Sequence, residues 1–188
     1  NSQKISKVTS SFDEHFNNLL YQMFEVNQKE GIPLMIEKSD DITNYEGYKL
    51  KIEKEVITII AKQPNGAFYG LLTLRDILNS DNKLCLEIED YPDLAVRGVM
   101  LDISRSKVPT LDTLKKLVVM FATLRYNHLE LYIEGFSFEY QSFKHLLSDN
   151  NYLCLQDYLE LEKFAQEYYI DFVPKTPPLK RPKRILLQ

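Results

Sequence analysis

Between Val96 and Glu134 the spacing of apolar residues changes twice. Val99, Met100, Leu101 and Ile103 form a run short enough for one buried strand. After the polar break at 104–107, Pro109 and Thr110 open a segment in which Leu111, Leu114, Leu117, Val118, Phe121 and Leu124 recur at three and four residues. That is the stripe of an amphipathic helix of roughly seventeen residues. A second strand, His128–Glu134, follows at once. Strand, helix, strand predicts a βαβ unit with both strands parallel in one sheet. In such units the carboxyl ends of the strands face the active-site side. Ser104 and Arg105 lie at that end of the first strand and Glu134 at that end of the second.

The pattern on either side predicts further elements. Ser11 and Glu14 have the spacing of a capping box ahead of Phe12, Phe16, Leu19, Leu20, Met23 and Phe24, which predicts a helix from about Ser11 to Lys29 ended by Gly31. Pro33–Glu37 reads as a strand at a sheet edge, because Pro33 has no N–H for a ladder. Tyr48, Leu50 and Ile52 alternate with charged residues and are followed, past Lys54-Glu55, by Val56–Ile60, so two strands joined by a tight turn are expected. From Ala67 to Leu78 the spacing is helical again. Strands and helices together make a small α+β layer over the first ninety residues. A boundary falls near Tyr91, where Asp90-Tyr91-Pro92-Asp93 has turn composition.

Beyond the βαβ unit, 135–151 is aromatic and polar without a period and reads as a long loop with one helical turn. A helix from Leu155 and a strand over Tyr169–Val173 follow. From Pro174 to Arg184 four prolines and five basic residues exclude a helix or central strand, so the segment is expected to be extended or disordered.

Composition narrows the function classes. With 44% hydrophobic and 27% charged residues, the 188-residue chain has a globular balance and a core large enough to fold. No apolar run approaches a membrane span, and the first residues lack the apolar core of a signal peptide. Asn1 in place of Met leaves removal of an upstream segment open, and with it either a cytoplasmic or a processed, secreted chain. Cys85 and Cys154 lack metal or framework spacing and are expected to be buried free thiols rather than a disulfide. His15, His128 and His145 are scattered, so neither a metal site nor a cofactor is expected. The net charge of −4 argues against nucleic acid as a partner.

One combination is more specific. Arg97-Gly98, then Leu101-Asp102-Ile103-Ser104-Arg105, then Tyr126-Asn127-His128-Leu129 resembles the opening of the catalytic barrel of family 20 glycoside hydrolases, the β-N-acetylhexosaminidases. Gly66-Ala67-Phe68-Tyr69-Gly70-Leu71-Leu72-Thr73-Leu74-Arg75 is similar to the accessory domain that precedes that barrel. The resemblance implies an α/β chain in three parts. Residues 1–90 would be an α+β accessory domain, 91–173 the first three βα units of an incomplete TIM-type barrel, and 174–188 a basic, Pro-rich, disordered tail. It stops at Lys175-Thr176-Pro177-Pro178, where the family continues into a loop with an acidic or amide residue and a histidine.

The resemblance also implies an activity: release of terminal β-linked N-acetylhexosamine by a substrate-assisted, retaining hydrolysis. The 2-acetamido oxygen attacks the anomeric carbon, an aspartate orients it and a neighbouring glutamate protonates the leaving oxygen. That Asp-Glu pair follows the fourth barrel strand in the family. Here no Asp-Glu dipeptide occurs beyond Glu134 and no tryptophan occurs at all, so these 188 residues are expected to be inactive alone. The alternative is a non-catalytic carbohydrate-binding or adaptor module. Partners would be N-acetylhexosamine-containing glycans, with self-association through the open barrel edges.

Arg105 matches the family arginine that grips hydroxyls of the terminal sugar, which a guanidinium fork suits. A structural ion pair with Asp102 or Asp112 is its other reading. Asp102 lies within an apolar strand, where a carboxylate needs a partner; Arg97 or Arg105 would supply it in an organising role. Glu134 is either a sugar contact or a solvated loop carboxylate. Phe136, Phe138, Tyr140 and Phe143 make either a stacking wall for sugar rings or packing beneath the loop.

Overall fold

The computed structural model describes residues 5–27, 30–80, 85–104, 108–134, 137–139 and 152–175. The chain divides into two units, Asn1–Ala95 and Val96–Gln188.

The first unit runs β1 (Ile5–Ser10), α1 (Glu14–Met23), β2 (Ile32–Lys38), β3 (Tyr48–Ile52), β4 (Ile57–Ala61), α2 (Pro64–Asn79) and β5 (Leu86–Asp90). These strands form one sheet in the order β1-β2-β4-β3-β5. β1, β2 and β4 are mutually parallel, while β3 is antiparallel to both β4 and β5. Period-two alternation sets the two faces. Leu34, Ile36, Tyr48, Leu50, Ile52, Ile57, Ile59 and Ala61 are buried, whereas Lys51, Glu87 and Glu89 stand on the outer face. There Lys49 pairs with Glu89 at 3.3 Å. α2 packs on β3 and β4, and α1 packs beside α2.

Two small features let α2 lie close to the sheet. A Cβ on Gly66 would stand 2.5 Å from the Gly47 carbonyl oxygen, and one on Gly70 would stand 2.9 Å from Ile59 Cγ2. The Tyr48 hydroxyl then joins three elements, 2.6 Å from Thr73 Oγ1 on α2 and donating to Asp90 Oδ2 of β5 at 3.0 Å.

The start of the chain departs from the sequence reading. Residues 5–10 are a strand, and α1 begins at Glu14 with Asp13 as its N-cap, whose carboxylate accepts from Phe16 N at 2.9 Å. Ser11 is occupied elsewhere: its hydroxyl accepts from Lys38 N at 2.7 Å. The helix ends at Met23, since Phe24 has an extended backbone, and does not continue to Lys29. β2 is likewise an interior strand between β1 and β4 and not an edge. Pro33 is tolerated because pairing with β4 begins only at Leu34, and the β1 register passes from Ile5↔Ile32 to Val8↔Leu34 through an irregularity.

The second unit runs β6 (Gly98–Asp102), α3 (Leu111–Thr123), β7 (His128–Tyr132), α4 (Leu155–Glu167) and β8 (Asp171–Lys175). Its strands form a three-stranded parallel sheet in the order β6-β7-β8. Thr110 caps α3 by accepting from Thr113 N at 3.3 Å, and the Cys154 thiol caps α4 by accepting from Asp157 N at 3.3 Å. Leu114, Val118 and Ala122 of α3, with Leu161 and Ala165 of α4, are buried together with Leu129, Leu131, Ile133 and Phe172. Fully burying one such Leu, Ile or Phe side chain contributes about 1.5–3 kcal/mol.

Both helices end the same way. Arg125 N bonds to Ala122 O and Tyr126 N to Phe121 O; Tyr169 N bonds to Gln166 O and Ile170 N to Ala165 O. These are Schellman caps with Arg125 (φ 62°) and Tyr169 (φ 59°) in the left-handed position usually filled by glycine. Two further expectations fail. Pro174 and Lys175, assigned to the tail, belong to β8, an edge strand where a proline is allowed. Both cysteines are free as expected, but neither is fully buried: Cys85, in the first unit, is exposed and Cys154 is half-buried. The remainder of the expected tail, and residues 135, 136 and 140–151 of the expected loop, lie outside the described residues.

Two substitutions test this packing by urea unfolding. Asp13→Ala should cost about 1 kcal/mol through loss of the cap; an unchanged midpoint would refute the capping role. Gly66→Ala should destabilise by about 1–3 kcal/mol, because crowding against backbone outweighs the gain of about 1 kcal/mol in helix propensity. A more stable variant would refute the close approach.

Candidate functional site

The parallel register of β6, β7 and β8 stacks side chains in levels. Val99, Leu101, Leu129, Leu131 and Phe172 point under the helices, and the alternate positions form the opposite face. Gly98, His128 and Asp171 share the first level, Met100, Glu130 and Val173 the second, and Asp102, Tyr132 and Lys175 the third, at the carboxyl end. Met100 is 56% exposed and Asp102 is exposed as well.

Charged groups link these levels across β7 and β8. His128 Nδ1 lies 3.2 Å from Asp171 Oδ2 and its Nε2 lies 3.7 Å from Glu130 Oε1, while Lys175 Nζ donates to Glu130 Oε2 at 2.7 Å. Gly98 makes room for the imidazole: a Cβ there would stand 3.0 Å from His128 Cδ2. The hydrogen bond from Lys175 outweighs the opposing effect of desolvation and holds the Glu130 carboxyl below the usual carboxylate range.

The residues singled out from sequence are distributed as follows. Asp102 is not enclosed in an apolar strand, because position 102 falls on the open face. Its Oδ1 accepts from both Ser104 N, at 2.8 Å, and Ser104 Oγ, closing a turn just past β6. Arg97 sits at the other end of β6, about 16 Å from Asp102 at the usual rise per strand residue. Its Nε donates to Arg125 O at 2.8 Å, and its backbone N donates to Asn127 Oδ1 at 2.8 Å. Arg97 thus ties β6 to the α3–β7 turn. Glu134 is exposed beyond the carboxyl end of β7, where its carbonyl accepts from Ser137 Oγ at 3.2 Å. Arg105 lies outside the described residues, next after the turn that Asp102 closes.

Sequence reasoning missed His128, Glu130, Tyr132 and Lys175 as members of one face. The signal was present as the alternation of His128, Glu130 and Tyr132 with Leu129 and Leu131.

Residues 6–91 match the family model described as glycosyl hydrolase family 20, domain 2. The chain carries a family 20 glycosyl hydrolase domain. A beta-hexosaminidase of Porphyromonas gingivalis is 33% identical over 99 residues, which is 47% of this chain and 13% of that protein. A beta-hexosaminidase of Akkermansia muciniphila is 28% identical over 116 residues, 58% of this chain and 23% of that protein. Among solved structures, a β-N-acetylhexosaminidase from Bacteroides fragilis is similar with a TM-score of 0.75 at 21% identity, covering 92% of this chain and 40% of that one. A family 20 exo-β-N-acetylglucosaminidase from Vibrio harveyi, solved with N-acetylglucosamine, is similar with a TM-score of 0.76 at 20% identity, over 92% of this chain and 33% of that one. The chain therefore spans less than half the length of each of these proteins, and at these identities the structural likeness speaks for the fold.

Within the unit that follows the family 20 domain, the aromatics divide. Phe138 meets Tyr158 of α4 edge-on at 5.9 Å, and Tyr158 lies 5.0 Å from Phe172 of β8, so Phe138 is packing beneath the chain and not a free stacking surface. Burial, with the Glu162 carboxylate adding to it, pushes the Tyr158 phenol up to about 12. Phe136, Tyr140 and Phe143 lie outside the described residues. Among the described residues no three of His, Cys, Asp and Glu cluster as metal ligands, and no helix is long and apolar enough to cross a membrane.

The lowered Glu130 carboxyl fixes the sign of a pH effect. Its contribution to stability is present above the ordinary carboxylate range and is lost as pH falls through the lowered value. Glu130→Gln should therefore make the stability profile less steep on the acid side, measured by thermal unfolding from pH 7 downward. Parallel acid limbs for the two proteins would rule the interaction out.

Proposed function

We propose that this chain is the accessory domain (1–90) and the first three βα units (91–173) of a family 20 β-N-acetylhexosaminidase. In that reading the parent activity is the release of terminal β-linked N-acetylhexosamine from glycans by substrate-assisted, retaining hydrolysis. The observation that supports it most is continuity. The family 20 match in the first unit runs into a second unit that shares the fold of enzymes of that name, so that 92% of the chain is accounted for.

The chemistry proposed for these residues rests on the family resemblance and, for Asp102 and Glu134, on their place at the carboxyl end of the sheet. Arg105, directly after the turn closed by Asp102, would present its guanidinium fork to adjacent sugar hydroxyls. Asp102 positions that arginine by fixing the turn, and does not itself act on the substrate. Glu134, exposed past β7, would accept from a sugar hydroxyl. Arg97 organises the opposite end of the sheet. The acetamido-orienting aspartate and the proton-donating glutamate are absent from these residues as an Asp-Glu dipeptide beyond Glu134. The 188 residues alone are therefore proposed not to hydrolyse the substrate.

A chromogenic β-N-acetylglucosaminide tests the reading directly. No turnover is expected from these residues, and robust turnover abolished by Arg105→Ala would overturn the proposed incapacity. Calorimetric titration with N-acetylglucosamine separates the alternatives: affinity lost in Arg105→Ala favours the carbohydrate-binding module, while no affinity at all favours a hydrolase portion that needs its remaining parts.

Among the described residues the second unit has β6 and β8 as sheet edges, with Met100 and Asp102 exposed on the face opposite its buried one, and we extend the proposal to self-association through them. Sedimentation should show species larger than the monomer at micromolar concentration; a single monomeric species throughout would exclude it.

A further inference from the structure

We draw no further inference here: the strongest candidate, the crevice of about 1060 Å³ between β1 and the carboxyl end of α1, lined by Lys7, Val8, Tyr21, Phe24 and Val26 among others, carries nothing because nothing in the structure shows what covers it.

Discussion

In a parallel ladder a slip of one residue turns every side chain of a strand to the other face, so the register of β6, β7 and β8 decides which groups reach the functional side. That register is pinned at its entry. Asn127 N donates to Arg97 O at 3.0 Å, and Asp171 N donates to Asn127 O at 2.9 Å, so each strand is aligned by the residue just before its neighbour begins. The Asn127 side chain adds a third bond to the same place through Arg97 N. The two Schellman caps deliver the chain to these points. Each holds an ordinary residue in the left-handed region, a conformation that costs about 1–2 kcal/mol, and packing of α3 and α4 against the sheet offsets that cost. The order at the carboxyl end, Asp102 beside Tyr132 beside Lys175, follows from geometry set at the amino end.

How much of this was legible varies with the physical origin of each feature. The helix after Thr110 was readable because cap, proline and stripe agree. The β3–β4 hairpin was readable from the alternation of Tyr48–Ile52, the polar pair Lys54-Glu55 and the apolar run Val56–Ile60. The first strand was not, because Ile5–Ser10 alternates weakly and the serines near it compete as caps. Ser11 and Asp13 both suit an N-cap, and which one serves depends on the Lys38 amide, which only the folded sheet brings to Ser11. β2 was misplaced at an edge for a related reason: Pro33 excludes a ladder bond only at its own position, and the sheet omits that bond. The caps at Arg125 and Tyr169 carried no glycine to announce them.

Of the candidate residues, it is Asp102 whose surroundings differ from the sequence reading: it is exposed and not enclosed in an apolar strand. The parallel pairing of the strands and the location of Asp102 and Glu134 at or just past their carboxyl ends could be read from the βαβ pattern. Whether Asp102 faced the helices or the open side could not, since the run Val99–Ile103 is apolar at four of its five positions and hides its own phase. The structure resolves the phase through Met100, which is apolar and exposed on the same face. An apolar residue in the open row means that composition alone could not identify the row. From that face the exposed Asp102 closes the turn at Ser104.

The sequence of groups from Asp171 through His128 and Glu130 to Lys175 alternates acceptor and donor over two strands. A charge removed from water is costly when it stands alone and tolerable when its countercharge travels with it. This face carries its counterions covalently, as neighbouring side chains. Each of its two carboxylates is therefore met from within the fold, Glu130 by the Lys175 ammonium and Asp171 by the His128 imidazole, without recruiting a partner from solvent.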